Sequence, residues 1–557
     1  MDYEKLAQLL FPNLEHDFKY YLDFYKKRNL PEGAQVMRFS PSPTGFFHIG
    51  GLYSALISFL TTKKTDGVFY LRIEDTDQKR EIVGAGDIIY NSLVSFNVIP
   101  DEGYRGSILP QLGNYGPYVQ SQRKDIYLAF AKELVRRGRA FPCFCDKTES
   151  KEDVVQRRQE MLEHSQELAT KDACRNLTYE QIEEYIKQGK PFALRLKSMG
   201  NSEKAFKIHD LIKGDREIRE NNKDVIILKS NLIPPYNLAH VVDDTLMGTT
   251  IVVRGDEWYA SLASHLEIFN ALGLTPPQYA HTPVASKIDS KTGTKRKLSK
   301  RKDAEADIRY YFEKGYPTQV VIDYCINLLN SDFESWRNAN PDSSYLDFDF
   351  KISKIGSNNP MYDIVKLNDI SKNFFARKTK EYIYDNTLAW AKEYDKEFYK
   401  YLCSNKEYCL KVFNIDREVP KPRKDIACFS EIKNYFSYMF DYTCPQQKSD
   451  FDLENVNQKN LQEVLTNYPK YLNLETKEEW FANIKVMAEK LGYATDNKLY
   501  KQNPEAFKGN TATVCEYIRL GVTGRKNSPD LYTILTILGK EKSKTKMLFL
   551  NDLITKE

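Results

Sequence analysis

One stretch restricts the fold of this chain more than any other: a short apolar strand, a tight loop and a long helix, beginning at Val36. Val36-Met37-Arg38-Phe39-Ser40 predicts a strand, and Pro41-Ser42-Pro43-Thr44-Gly45 a tight loop. From about Ile49 the apolar residues Leu52, Ala55, Leu56, Phe59 and Leu60 recur at helical spacing. The unit then repeats, with a strand from Val68 to Ile73 and a helical stretch carrying Ile82, Ile89, Leu93 and Phe96. Strand, helix, strand, helix is the grammar of a parallel α/β sheet. Ligands of such sheets settle in the crevice beyond the carboxyl ends of the strands. The loop after the first strand is therefore the first candidate for chemistry.

The pattern breaks between 126 and 224, where charge is denser and periodicity weaker. It resumes at Val225-Ile226-Ile227-Leu228 and continues through a strand ending at Val253 and a helix with Trp258, Leu262, Leu266, Phe269 and Leu272. One sheet split by an insertion is the expectation: 37–125 and 225–280 as its halves, 126–224 as the insertion, 281–355 as a following region. Residues 1–36 predict a helical extension, with Leu6, Leu9 and Leu10 on one face and Pro31 and Gly33 ending it. From 356 to 557 helical stripes dominate, such as Trp480, Ile484, Met487, Ala488 and Leu491, or Leu531, Ile534, Leu535 and Leu538.

A length of 557 residues allows several domains, and 13% aromatic residues supply their cores. The net charge of +4 permits a polyanionic partner without demanding one. Six of the nine cysteines (325, 403, 409, 428, 444, 515) show no framework spacing, so reduced thiols are expected. The N-terminus lacks an apolar signal core, and no apolar run approaches the ~18 residues that cross a bilayer. A cytoplasmic chain with no membrane partner is expected.

Two segments carry chemistry. The first runs Arg38-Phe39-Ser40-Pro41-Ser42-Pro43-Thr44-Gly45-Phe46-Phe47-His48-Ile49-Gly50-Gly51. A helix N-terminus offers unpaired N–H groups to phosphate. His48 can bond a phosphate oxygen, and Gly50 and Gly51 let a flat base approach the backbone. The alternative is a glycine-bearing loop with a helix-capping histidine. The other segment, Lys295-Arg296-Lys297-Leu298-Ser299-Lys300-Arg301-Lys302, can neutralise a triphosphate as pyrophosphate leaves. Gly293 upstream points to a mobile loop, and the alternative here is a solvated basic loop.

Together the two segments resemble the signatures of the class I aminoacyl-tRNA synthetases. His48-Ile49-Gly50-Gly51 looks like His-Ile-Gly-His, and Lys297-Leu298-Ser299-Lys300-Arg301 looks like Lys-Met-Ser-Lys-Ser. The Ser-Pro-Thr-Gly that precedes the histidine signature, and the Ser-Lys-Arg that closes the lysine signature, resemble the glutamyl branch. Leu71-Arg72-Ile73-Glu74-Asp75-Thr76-Asp77, Tyr236 to Asp244 and Arg254-Gly255-Asp256-Glu257-Trp258 extend the likeness, as does Leu520 to Lys542 near the end. Thr245 stands where some members carry histidine.

The resemblance implies a Rossmann-type sheet split by an acceptor-end-binding insertion and followed by an all-α anticodon-binding region. It implies activation of L-glutamate with ATP and Mg2+, then transfer to the 3′-terminal adenosine of tRNA(Glu). Relaxed members also charge tRNA(Gln). A monomer is implied. By resemblance Arg38, Ser40, Ser42, Glu74, Tyr236, His240 and Arg254 bind the amino acid. His48, Gly50, Lys297 and Lys300 serve catalysis; Gly51, Trp258 and Leu298 join His48, Gly50 and Lys300 around ATP. Asp77 and Arg80 face the tRNA 3′ end. Arg123, Lys124, Arg136, Arg137, Arg139 and the run Gln156-Arg157-Arg158 hold the acceptor end.

A glutaminyl enzyme is the nearest rival, but a neutral amide gives no reason to bury Arg254, since the arginine fork matches carboxylates. A lapsed synthetase acting as an RNA-binding protein is the rival from another class; intact signatures oppose it. Cys143-Phe144-Cys145 and Cys174 resemble part of a zinc site found in some bacterial glutamyl enzymes. His164 or Asp172 is a candidate fourth ligand; three buried thiols without metal is the alternative.

Overall fold

The computed structural model describes residues 1–77, 79–145, 173–289, 291–299 and 301–555. Lys300, the run 156–158, His164 and Asp172 lie outside them. The chain divides into two compact units, Met1–Tyr310 with Val321–Asp363, and Tyr311–Val320 with Ile364–Glu557.

The first unit is built on a seven-stranded sheet whose strands lie in the order 102–103, 68–71, 36–39, 251–255, 278–282, 205–210 and 214–219. Its central strands are β1 (Val36–Phe39), β2 (Val68–Leu71), β9 (Ile251–Gly255) and β10 (Gln278–Thr282), with β3 (Glu102–Gly103) at one edge. These pair in parallel, Val36 opposite Val68 and Gln278 opposite Ile251. Every residue of β1 is buried, as expected where helices cover both faces. The helix Ile49–Lys64 returns the chain from β1 to β2 and buries Leu52, Ala55, Leu56 and Phe59. Strands β2 and β3 lie on one side of β1, and β9 and β10 on the other. The carboxyl ends of β1 and β9 thus border the switch point at which such sheets bind ligands.

Two findings refine the split-sheet expectation. The hairpin β6 (Ala205–Asp210) and β7 (Gly214–Arg219) falls inside 126–224, yet β6 pairs in parallel with β10 and extends the main sheet. Conversely Ile226–Leu228 (β8) does not resume that sheet. It pairs antiparallel with β5 (Ala193–Leu196), which pairs with β4 (Ala140–Cys143) in a separate three-stranded sheet. An apolar run reads alike whichever sheet recruits it, because the partner strand is a non-local choice.

The N-terminal extension forms helices Tyr3–Leu10 and Phe18–Phe24, capped by the carboxylates of Asp2 and Asp17. Leu6, Ala7, Leu10 and Phe11 join one core with Tyr127, Phe130 and Leu134 of the helix Lys124–Arg136. Past the helices, Arg28 donates to both oxygens of Glu102 at 2.8 and 2.9 Å and to the Met247 carbonyl at 2.9 Å. The extension is therefore part of the first unit.

The second unit contains no strand among its described residues. The stripe Trp480, Ile484, Met487 and Ala488 is the buried face of the helix Lys477–Lys490. Leu531, Ile534, Leu535 and Leu538 are buried in the last helical stretch, which breaks at Gly539 with φ 77°. Among the described residues, no helix is long and apolar enough to cross a membrane.

Candidate active site

Arg38 lies in β1, Glu74 just past β2 and Arg254 near the end of β9, so three neighbouring strands deliver them to the same crevice. The helix Tyr236–Leu246 brings Tyr236, His240, Asp243 and Asp244 against them.

Arg38 is buried. It donates from Nε to Asp244 at 3.3 Å and from Nη1 to the Val253 carbonyl at 2.9 Å, and its Nη2 lies 3.5 Å from the Tyr236 hydroxyl. Among the described residues Arg38 makes its ion pair with Asp244, and Glu74 is paired with Arg72. Arg72, fully buried, donates to Asp244 at 2.8 Å and to Glu74 at 2.9 Å. Glu74 is raised from the usual carboxylate range, because its burial outweighs Arg72 and Arg38. Asp244 goes the other way, well below its ordinary value despite burial, under Arg72, Arg38 and His240.

Asp243 Oδ2 also lies 3.7 Å from Arg72 Nε, but its hydrogen bonds come from residues 120–127. It accepts from Arg123 Nε at 2.7 Å, Gln120 at 2.9 Å and the Tyr127 hydroxyl at 2.8 Å. This corrects the reading of Arg123 as an RNA contact: it is buried and consumed by Asp243, 120 residues away in sequence. Arg136 and Arg137 both bind Glu133, and Arg139 binds Glu267 at 2.7 Å. Arg72, Arg123, Asp243 and Asp244 tie the site together, and none was assigned such a role from sequence. Two adjacent carboxylates in the apolar stretch Tyr236–Leu246 were the available signal, since buried charges require partners.

His240 is committed internally. It donates from Nδ1 to Asp244 and accepts the Tyr279 hydroxyl at Nε2, 3.0 Å away. Burial pushes it down to about 4, so it is neutral near pH 7. Tyr236 stacks on its ring at 5.1 Å, and Trp258 lies 4.1 Å from the Tyr236 ring.

Arg254 differs from the other arginines here. Nε donates to His281 Nε2 at 3.0 Å, and Nη1 meets His265 Nδ1 at 3.0 Å. His281 in turn donates from Nδ1 to Asp210 at 2.6 Å, and His265 Nε2 reaches the Asn237 side-chain oxygen at 3.1 Å. Burial lowers both imidazoles from their ordinary value, His265 far below it. The Tyr279 ring lies under the guanidinium at 4.7 Å. Among the described residues no carboxylate pairs with Arg254, and its buried Nη2 has no hydrogen-bond partner. The Ser40 hydroxyl oxygen is likewise buried without a partner among them. Ser42 is exposed.

His48 caps the helix Ile49–Lys64, with Nδ1 accepting from the Gly50 N–H at 2.8 Å, and its backbone bridges to Asp307. A side chain at Gly51 would put its first carbon 2.6 Å from the Phe47 ring, so close packing alone requires glycine there. At Gly50 the same carbon would meet only the His48 ring, at 3.0 Å.

The first three residues of the basic segment form a strand, β12 (Lys295–Lys297), paired antiparallel with β11 (Ser286–Ile288), where a mobile loop was expected. Asp289 accepts from Lys291 and Thr292 N–H groups in the turn. Lys297 is exposed and Leu298 is buried. Arg296 is anchored to Asp289 and Asp303. Asp77 and Arg80 pair with each other on the surface, Nε to Oδ2 at 2.6 Å. The ligand atoms of Cys143, Cys145 and Cys174 lie within 4.8 Å of one another.

Comparison with known proteins agrees with this architecture. Residues 35–337 match the family of class I tRNA synthetases (E and Q), catalytic domain, and residues 375–547 match an anticodon binding domain. The glutamate–tRNA ligase of Clostridium perfringens (strain 13) is 45% identical over 97% of this chain and 99% of its own length. That of Clostridium beijerinckii is 43% identical over 99% and 100%. A crystal structure of a glutamate tRNA ligase from Elizabethkingia meningosepticum, in complex with its amino acid, superposes with a TM-score of 0.69. It covers 94% of this chain and 99% of its own at 23% identity, a likeness of fold. The catalytic family spans enzymes for two amino acids, and the full-length relatives decide between them: the chain belongs to the glutamate–tRNA ligases of class I.

Proposed function

We propose that this chain joins L-glutamate to tRNA(Glu) at the expense of ATP, with Arg254 recognising the substrate's side-chain carboxylate. One observation carries the residue assignment: a buried guanidinium held by two neutral imidazoles, with one N–H pair unspent and no counter-charge among the described residues. A buried charge is costly until something pairs it. The carboxylate of glutamate does so through the arginine fork, whereas the amide of glutamine brings no charge.

In this reading Glu74, held by Arg72, balances the substrate ammonium. Arg38, Ser40, Ser42 and Tyr236 complete the pocket, and His240 orients Tyr236 by stacking. The glutamate α-carboxylate attacks the α-phosphorus of ATP, the bond to the bridging oxygen breaks, and pyrophosphate leaves. His48, Lys297 and Lys300 offset the charge that develops. Bound Mg2+ supplies further charge neutralisation on the triphosphate. Gly50, Gly51, Trp258 and Leu298 border the adenosine. The 2′-hydroxyl of the terminal adenosine, near Asp77 and Arg80, then attacks the adenylate carbonyl and AMP departs. A monomer acting in the cytoplasm, where tRNA is charged, is the proposed form and place of action.

Cys143, Cys145 and Cys174 fit a structural Zn2+, because three thiolate-forming side chains converge on one point and soft sulfur ligands suit that ion. Metal analysis of the purified chain and of Cys174→Ser tests this; about one zinc per chain, lost in the variant, is expected. No metal in either overturns it.

The function is tested by charging glutamate and glutamine separately onto tRNA(Glu) and tRNA(Gln). Glutamate on tRNA(Glu) alone is expected. Glutamate on both tRNAs would mean a relaxed anticodon site, and no glutamate on either would refute the reading.

A further inference from the structure

Arg254 reaches its place in β9 in an unusual way for a buried cation. Its partners, His265 from the helix Leu262–Leu272 and His281 from β10, are acceptors without charge. Both tautomers are dictated by what lies behind them. Asp210 accepts from His281 N–H and Nδ1, and from the Ile212 and Lys213 N–H groups, so the proton of His281 sits on Nδ1 and Nε2 offers a lone pair to Arg254. The Asn237 side-chain oxygen likewise draws the proton of His265 to Nε2 and leaves Nδ1 as acceptor. Asp210 and Arg254 are thus kept apart by a neutral ring.

We propose that His265 and His281, the latter oriented by Asp210, are positioning residues that aim the Arg254 fork without neutralising it, and so set the preference for a carboxylate over an amide. This rests on the reading that Arg254 binds the substrate carboxylate. The physical logic is a choice of partner. An aspartate in place of either histidine would fix the guanidinium equally well, but would cancel its charge and remove the reason to favour glutamate. A leucine would leave the charge and release the fork. Two neutral acceptors satisfy Nε and Nη1, fix the plane, and leave Nη2 and the net charge for the ligand. Asp210 stands in β6, the strand that the insertion returns to the main sheet, so that hairpin contributes to amino-acid choice.

The test uses pyrophosphate exchange by the full-length enzyme with tRNA(Glu), glutamate and glutamine being compared as substrates. His265→Leu and His281→Leu are expected to raise KM for glutamate by about 10- to 100-fold with a smaller change in kcat, and to lower the glutamate-to-glutamine ratio of kcat/KM by a similar factor. His265→Asn and His281→Gln, which place a carbonyl oxygen near the lost lone pair, are expected to recover most of both. A packing role predicts the reverse order, with apolar leucine tolerated better than the polar replacements. That order, or leucine variants with wild-type KM and selectivity, overturns the proposal. Should the leucine variants not fold, nitrogen-15 NMR of histidine-labelled wild type decides: His265 is expected as the Nε2–H tautomer and His281 as the Nδ1–H tautomer at pH 7, and a charged ring or opposite tautomer at either overturns it. Arg254→Gln keeps the two readings separate, because if it uses glutamate as wild type does, the assignment of Arg254 itself fails.

Discussion

Arg296 grips Asp303 with both terminal nitrogens, Nη1 at 2.6 Å from Oδ2 and Nη2 at 2.7 Å from Oδ1. The same carboxylate accepts the Ser299 N–H at 2.9 Å. One buried aspartate thereby fixes the backbone of the basic hairpin while Lys297 stays exposed.

Asp303→Asn breaks that bidentate grip and leaves Arg296 with Asp289. Pyrophosphate exchange is expected to fall by about tenfold or more, with KM for glutamate little changed, because the residues proposed to bind glutamate are others. Steady-state exchange with either substrate varied checks this; unchanged exchange would count against the hairpin as a phosphate-binding element. Arg296 holds Asp303 down to about 2, so its contribution to stability is present above the unfolded value near 4 and is lost only as the pH falls through about 2.

Acid acts first on the pocket histidines. His240 is pushed down to about 4 by burial, and His265 and His281 are lowered by the same cause. In the unfolded chain they titrate near ~6.5, so unfolding takes up protons as the pH drops below that value. Their contribution is complete above about 6.5 and declines toward about 4. Urea unfolding at pH 7 and 4.5 is expected to differ by roughly 3 kcal/mol or more, and His240→Gln should flatten the dependence. A flat profile would mean that the imidazoles are hydrated.

Glycine at 51 is a packing requirement. Gly51→Ala drives a methyl into Phe47, and Phe39 stands 3.3 Å away on another side. A loss of about 1–3 kcal/mol is expected by thermal or chemical denaturation. Gly50→Ala meets only the His48 ring and is expected to lose less stability. Equal stability of the two variants would contradict the geometry.

The N-terminal extension is expected to matter for folding. Arg28→Ala removes a bidentate ion pair to Glu102 and a bond to the Met247 carbonyl. A loss of roughly 1.5–3 kcal/mol is expected, since the pair is mostly buried and its removal leaves Glu102, among the described residues, with the Tyr118 hydroxyl at 2.9 Å. Thermal denaturation of the full chain measures it, and a wild-type midpoint would refute it.

Local pattern was enough to read the strand–loop–helix at Val36 to Lys64, the strand that follows it and the helical stripes at Trp480 and Leu531. In each the period of apolar residues matches what is buried. Non-local pairing was not legible. Ile226–Leu228 joined another sheet, and the Ala205–Arg219 hairpin joined the main one, because strand partners are chosen by tertiary packing. Arg38 and Arg254 were grouped by resemblance, and neighbouring strands bring both to one crevice. Arg123 read as a surface cation because its partner Asp243 is distant in sequence. His265 and His281 gave no local signal; only the fold brings them to Arg254.

Arg38, Arg72 and Arg123 share the interior with Glu74, Asp243 and Asp244, three positive charges against three negative ones. Neutralising any one of these six strands a unit charge in the core, so this neighbourhood resists piecemeal loss of charge. Arg254 stands outside that closed sum. A neutral residue at position 254 would therefore leave this balance of charges unchanged, at the cost of the two imidazole lone pairs that face the guanidinium.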